Sequence, residues 1–96
     1  MVAVAIEKPL REQEVAVQEQ LQTPWRVILY NDDIHTFDEV ILQLQKATGC
    51  SLERAEQIAW TAHTQGKAVA YEGEFEDCLR VQGVLREIGL ITEIAG

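Results

Sequence analysis

From Thr36 onward, capping residues and glycines cut the chain into segments of fixed length, and this punctuation constrains its fold more than any other feature. Thr36 followed by Glu39 is a capping-box signature for a helix start. Phe37, Val40, Ile41 and Leu44 then fall at i, i+3, i+4 and i+7, one apolar stripe, and Gly49 ends the segment as a left-handed cap. Ser51 opens a second helix with Glu53 in its first turn. Leu52, Ala55, Ala59 and Ala62 form its inner row and Gly66 closes it. Two short helices joined only through residues 48–50 must fold back as an αα-hairpin. A third helix is predicted over residues 75–88, with Cys78, Val81, Leu85 and Ile88 spaced for burial and Gly89 as its stop.

The intervening stretches carry the period of strands. Trp25-Arg26-Val27-Ile28-Leu29-Tyr30 is rich in β-formers, and alternation places Val27, Leu29 and Asn31 on one face. Residues 67–71 read as a short strand followed by a turn through Glu72-Gly73-Glu74, and residues 90–94 as a last strand. The order is β-α-α-β-α-β: an α+β domain over residues 25–96, with three helices packed on a small three-stranded antiparallel sheet. Residues 1–24 show no sustained apolar face, are interrupted by Pro9 and close at Pro24. They read as a flexible arm with transient helix over residues 11–21.

Composition narrows the function classes. A hydrophobic content of 47% supports a core. Formal net charge is −8, with four acids against two bases in residues 1–24 and twelve against six in residues 25–96. Such a chain repels phosphate backbones and anionic membranes, so nucleic-acid and membrane binding are set aside and cationic partners are favoured. Two cysteines, Cys50 and Cys78, read as reduced thiols rather than a disulfide scaffold. No run approaches the ~20 apolar residues that span a bilayer, and the short apolar start lacks a signal-peptide pattern. The expected protein is cytoplasmic and, by default, monomeric.

Chemistry concentrates in two fragments. Asn31-Asp32-Asp33 stands at a strand-to-helix junction, where side chains converge on ligands. The stretch from Ala59 to Val69 supplies His63 beside Ala59 and Ala62, at helical spacing on one face. Asn31, Asp32 and a neutral His63 offer acceptors suited to the three donors of an α-amino group. Two alanines leave room for an apolar group, with Phe37 and Val40 as opposing walls. The same residues also have plainer uses: Asn and Asp bond their own backbone in turns, and alanines let helices pack closely. Cys50, Cys78, His35, His63, Asp32 and Asp33 include the types needed for a zinc site or a Cys–His nucleophile. None sits at the spacing of a known motif, so no catalytic residue, metal or cofactor is expected.

The pieces from Val27 to Asp33 and from Ala62 to Val69, in this order and separation, resemble the ClpS family of protease adaptors. The stretch from Asn31 to Asp38 is also similar to the adaptor-like domain of eukaryotic N-degron ubiquitin ligases. The resemblance covers residue 25 to about residue 94. It implies a non-enzymatic adaptor that binds proteins with a bulky hydrophobic first residue and passes them to a Clp AAA+ unfoldase and its peptidase. By position, Asn31, Asp32 and His63 would hold the substrate α-amine. Leu29, Asp33, His35, Phe37, Val40, Ala59, Ala62 and Leu90 would line the pocket for the first side chain, and the arm would engage the unfoldase. The chain departs from the bacterial pattern at His35, Thr36 and Phe37, where Thr, Pro and Met are usual, and at Ala59, where a methionine is common. The preferred first residue is therefore open among Leu, Phe, Tyr and Trp. An unfoldase-binding module that reads no degron is the alternative.

Overall fold

The computed structural model describes residues 23–96, so the arm expected ahead of Pro24 lies almost wholly outside the described residues. Six elements follow: β1 (Trp25–Tyr30), α1 (Phe37–Thr48), α2 (Leu52–Gln65), β2 (Lys67–Gly73), α3 (Phe75–Arg86) and β3 (Thr92–Ala95). The strands form one sheet in the order β2-β1-β3, antiparallel at both junctions. The α+β class and the element order are those read from the sequence.

β1 is central because it alone carries two large aliphatics on one face. Val27 and Leu29 are 0% and 1% exposed, while Ile28 and Tyr30 point to the other, half-open face. Leu29 stands opposite Ala68 on β2 and Thr92 on β3, which puts small residues around a large one. Against this face pack Ile41, Leu44 and Ala47 of α1, Ala55, Ile58, Ala59 and Ala62 of α2, and Cys78, Val81 and Leu85 of α3. Burying a leucine such as Leu44 contributes roughly 1.5–3 kcal/mol. Leu44→Ala would cost about 2–5 kcal/mol once its cavity is counted.

The helix ends follow the punctuation. Thr36 Oγ1 accepts from the Glu39 N–H at 3.1 Å while Glu39 Oε1 accepts from the Thr36 N–H at 2.9 Å, a complete capping box. Ser51 Oγ accepts from the Arg54 N–H at 3.0 Å. Gly49 and Gly66 take left-handed φ values of 72° and 93° and close α1 and α2.

Four expectations need correction. β2 runs on to Gly73 through the expected turn, because β1 begins at Trp25 and its antiparallel ladder pairs Arg26 with Glu72 and Trp25 with Gly73. A bulge absorbs the mismatch: Val27 pairs with Tyr71 and Ile28 with Val69, leaving Ala70 unpaired on β1. α3 stops at Arg86, not residue 88, since the chain tightens into i to i+3 bonds from Glu87 N–H to Val84 and from Gly89 N–H to Arg86. β3 is Thr92–Ala95 rather than residues 90–94, because Leu90 turns inward and the register with β1 begins where Thr92 stands opposite Leu29. Leu52, assigned to the inner row of α2, is 54% exposed; Ile58 occupies the buried row instead.

Polar contacts tie the end of α3 to α1. Gln43 Nε2 donates to the Val84 carbonyl at 2.6 Å and to Glu87 Oε1 at 3.2 Å, and Lys46 Nζ reaches the same Glu87 oxygen at 2.9 Å. These bonds fix where the chain leaves α3, and so where the Ile88 carbonyl is presented.

Candidate functional site

A cavity of about 460 Å³ opens between the end of β1, the loop of residues 31–36, the start of α1 and the C-terminal half of α2. Its recess is apolar, formed by Leu29, Val40, Ala59, Ala62 and Leu90. Its polar side carries Asn31, Asp32, Asp33, His35 and His63. Every residue named from the sequence for the amine site or the side-chain pocket, Phe37 included, borders this one cavity. The structure adds two that the sequence reading passed over, Tyr30 and Trp60. Trp60 precedes His63 by three residues, so helical spacing already placed both on one face. Tyr30 escaped because strand alternation turns it toward the open side of the sheet, where its hydroxyl donates to Glu93 at 2.5 Å.

The convergence has a local cause. Gly66 ends α2 one turn beyond His63, and its carbonyl accepts from the Asn31 N–H at 3.0 Å. That bond clamps the end of β1 to the end of α2, bringing the Asn31 loop beside the His63 turn. The loop is shaped by Asp32. Its Oδ1 accepts from the Ile34 and His35 N–H groups at 2.9 and 3.0 Å, and its Oδ2 accepts from His35 Nδ1 at 2.9 Å. Turn building thus does not exhaust the acceptors of Asp32. Of about four acceptor directions on a carboxylate, three are used within the loop and one on Oδ2 remains. Desolvation pushes the Asp32 carboxyl up, but the bonds from the His35 backbone, its ring and the Ile34 backbone, with the His35 charge, outweigh it and leave the group below the usual carboxylate value.

His35 is clasped on both sides. Nε2 donates to the Ile88 carbonyl while Nδ1 holds Asp32. The Asp32 bond first, then the Ile88 carbonyl, raise its pKa above the ordinary imidazole value against desolvation. At the mouth stand aromatic groups. Phe37 and Trp60 meet edge to face at 6.4 Å between centroids, and the Trp60 ring lies 5.9 Å from that of His63. Phe37, Trp60 and His63 are all exposed.

The thiols are elsewhere. Cys50 borders a separate hollow of about 350 Å³ with Arg54 and Tyr71, and Cys78 is fully buried, where desolvation pushes its pKa up. Among the described residues no three of His, Cys, Asp and Glu are grouped to hold a metal. No described helix is long and apolar enough to cross a membrane.

An acidic-amide rim over an apolar recess, on a three-helix, three-strand α+β frame, offers acceptors to a cationic group and space to an apolar one, the layout of a small binding module. The model of the family described as ATP-dependent Clp protease adaptor protein ClpS matches residues 20–88, and the chain belongs to this family. A ClpS adapter protein from Erwinia tasmaniensis is 46% identical over 55 residues, which cover 55% of this chain and 52% of that protein. The human E3 ubiquitin-protein ligase UBR2 is 34% identical over 58 residues, 60% of this chain and 3% of the ligase. The chain thus spans about half the length of several ClpS relatives it matches and a small part of the ligases. The same fold occurs in Agrobacterium tumefaciens ClpS2 bound to L-phenylalaninamide, with a TM-score of 0.70 and 22% identity, over 76% of this chain and 95% of that one.

Proposed function

We propose that this protein is a non-catalytic, cytoplasmic adaptor that binds the free N-terminus of proteins beginning with a bulky hydrophobic residue and delivers them to a Clp AAA+ protease. The carrying observation is the cavity itself, with Asn31, Asp32 and His63 at the rim of a recess lined by Leu29, Val40, Ala59, Ala62 and Leu90. In this reading the open acceptor direction on Asp32 Oδ2, the Asn31 side-chain carbonyl and one ring nitrogen of His63 receive the three N–H donors of the α-ammonium. The first side chain enters the recess past Phe37, Asp33 and His35. The ligand of the Agrobacterium structure supports this, since L-phenylalaninamide presents a free α-amine and an apolar side chain as the first residue of a protein does. Residues 1–24 would serve as the arm that the unfoldase engages, with the adaptor domain acting as a monomer.

The test is a paired titration by fluorescence anisotropy, using one labelled peptide starting with Phe and its N-acetylated twin. Acetylation removes the cationic donors, and each charge-assisted bond contributes roughly 1.5–3 kcal/mol, so the acetylated peptide is expected to bind at least tenfold more weakly. Equal affinities would refute the reading.

A further inference from the structure

His35 borders the cavity, yet neither of its ring nitrogens is available to a ligand. Nδ1 donates to Asp32 Oδ2 at 2.9 Å and Nε2 donates to the Ile88 carbonyl. An ionised carboxylate and a backbone carbonyl only accept, so both bonds coexist only when the ring carries both protons. The carbon between the nitrogens lies against Gly89, Cε1 being 3.9 Å from where a Cβ on that glycine would stand. With both nitrogens and Cε1 engaged, the ring, 12% exposed, has only its flat face and Cδ2–H edge left to offer the cavity. Both are apolar in shape and positive in potential. Such a surface attracts the electron-rich face of an aromatic ring and gains nothing comparable from an aliphatic chain.

We propose that His35 is a specificity-determining residue: a locked imidazolium in the pocket wall that selects an aromatic first residue over leucine. The assignment rests on the adaptor reading above and concerns which side chain that site prefers. The charges around the ring sustain its protonated form. Asp32 and Asp33 stand on its own loop and Glu39 on α1; His63 faces the same cavity from α2. Beyond α3, Glu87 is held by Lys46 next to the Ile88 carbonyl that His35 uses. The competing source of aromatic preference is the Phe37–Trp60 pair at the mouth, and it has the opposite electronic demand. Those rings are electron-rich and favour an electron-poor partner, whereas a cation favours an electron-rich one.

Fluorination separates the two without touching the protein. The full chain is titrated with peptides identical except for the first residue: Phe, 4-fluoro-Phe, 3,4,5-trifluoro-Phe, pentafluoro-Phe and Leu. With His35 as the selecting group, affinity falls stepwise with fluorine number, by roughly two- to thirty-fold across the series, although fluorination makes the ring more hydrophobic. Leu binds more weakly than Phe. In His35→Leu the slope across the fluorinated series is flat or reversed, which a role confined to shaping the loop would not produce. A flat or rising series in the unaltered protein, with Leu and Phe peptides both binding, overturns the assignment and leaves the adaptor reading standing. Failure of all five peptides to bind refutes the adaptor reading and this assignment with it.

Discussion

The two walls of the cavity are built on different principles. The loop wall is held by polar bonds: Asp32 accepts three, His35 bridges to the Ile88 carbonyl, and Thr36 with Glu39 closes the loop into α1. The α2 wall is defined by small size. Ala59 and Ala62 are buried without filling the recess, and beside them Trp60 is 59% exposed. Fixed acceptors would suit the proposed cationic head, whose geometry is the same from one N-terminus to the next, because they need no reordering on binding. A wall of alanines and exposed aromatics would suit a side chain that does vary. Substitutions on the loop wall should therefore damage both structure and binding, whereas those on the α2 wall should alter only the shape that is accepted.

The sharpest way to break this contrast is at Asp32. Asp32→Ala removes the charge proposed to meet the amine together with three loop bonds, and peptide binding should weaken by at least about 1.5–3 kcal/mol by calorimetry. Asp32→Asn keeps an oxygen for the Ile34 and His35 N–H groups and should lose binding while retaining most of the loop. If Asp32→Asn binds as tightly as the unaltered protein, the charge is not what the site uses. On the other wall, Ala62→Leu fills the recess from α2. Affinity for a Phe-peptide should drop about tenfold, or 1.4 kcal/mol. The urea midpoint should move little, because the new side chain has open space to enter. A comparable loss of stability would show that α2 is as rigidly packed as the loop.

Smaller effects sharpen the same picture. Thr36→Ala should cost about 1 kcal/mol of stability through loss of the cap, read from chemical denaturation. Trp60→Ala should leave stability within roughly 0.5 kcal/mol, as expected for an exposed residue. A larger drop would mean that the Phe37–Trp60 contact is structural. The smallest effect is a drift with pH. The folded pKa of His35 lies above the ordinary imidazole value of 6.5, so its stabilisation is complete below pH 6.5 and is lost as pH rises through the raised value. Asp32 lies below the ordinary carboxylate value of 3.8, so its contribution is complete above pH 3.8 and is lost as pH falls through the lowered value. A His35 ring titration by NMR showing a value at or below 6.5 would contradict the clasp.

What the sequence disclosed and what it hid divide along the same physical line. Thr36, Glu39, Gly49, Ser51 and Gly66 act through bonds a few residues away, so their roles were readable from spacing alone. The pairing of Asn31 with His63 is suggested in the sequence by complementary acceptors and by resemblance, and the structure supplies its cause in the Asn31–Gly66 bond. The His35–Ile88 contact joins groups 53 residues apart and left no local trace. The bulge at Ala70 was equally silent, because it arises from register with β1 and not from β2's own pattern. Leu52 was misplaced because helical spacing describes a face but not which part of it a neighbour covers.

The most direct test of the central claim is an NMR titration of the isotope-labelled chain with L-phenylalaninamide. The account predicts saturable shifts confined to the 31–35 loop, the Ala59–His63 turn and Leu90, with no comparable change when the amine is acetylated. Shifts centred instead on Cys50 and Arg54, or none that saturate, would contradict it.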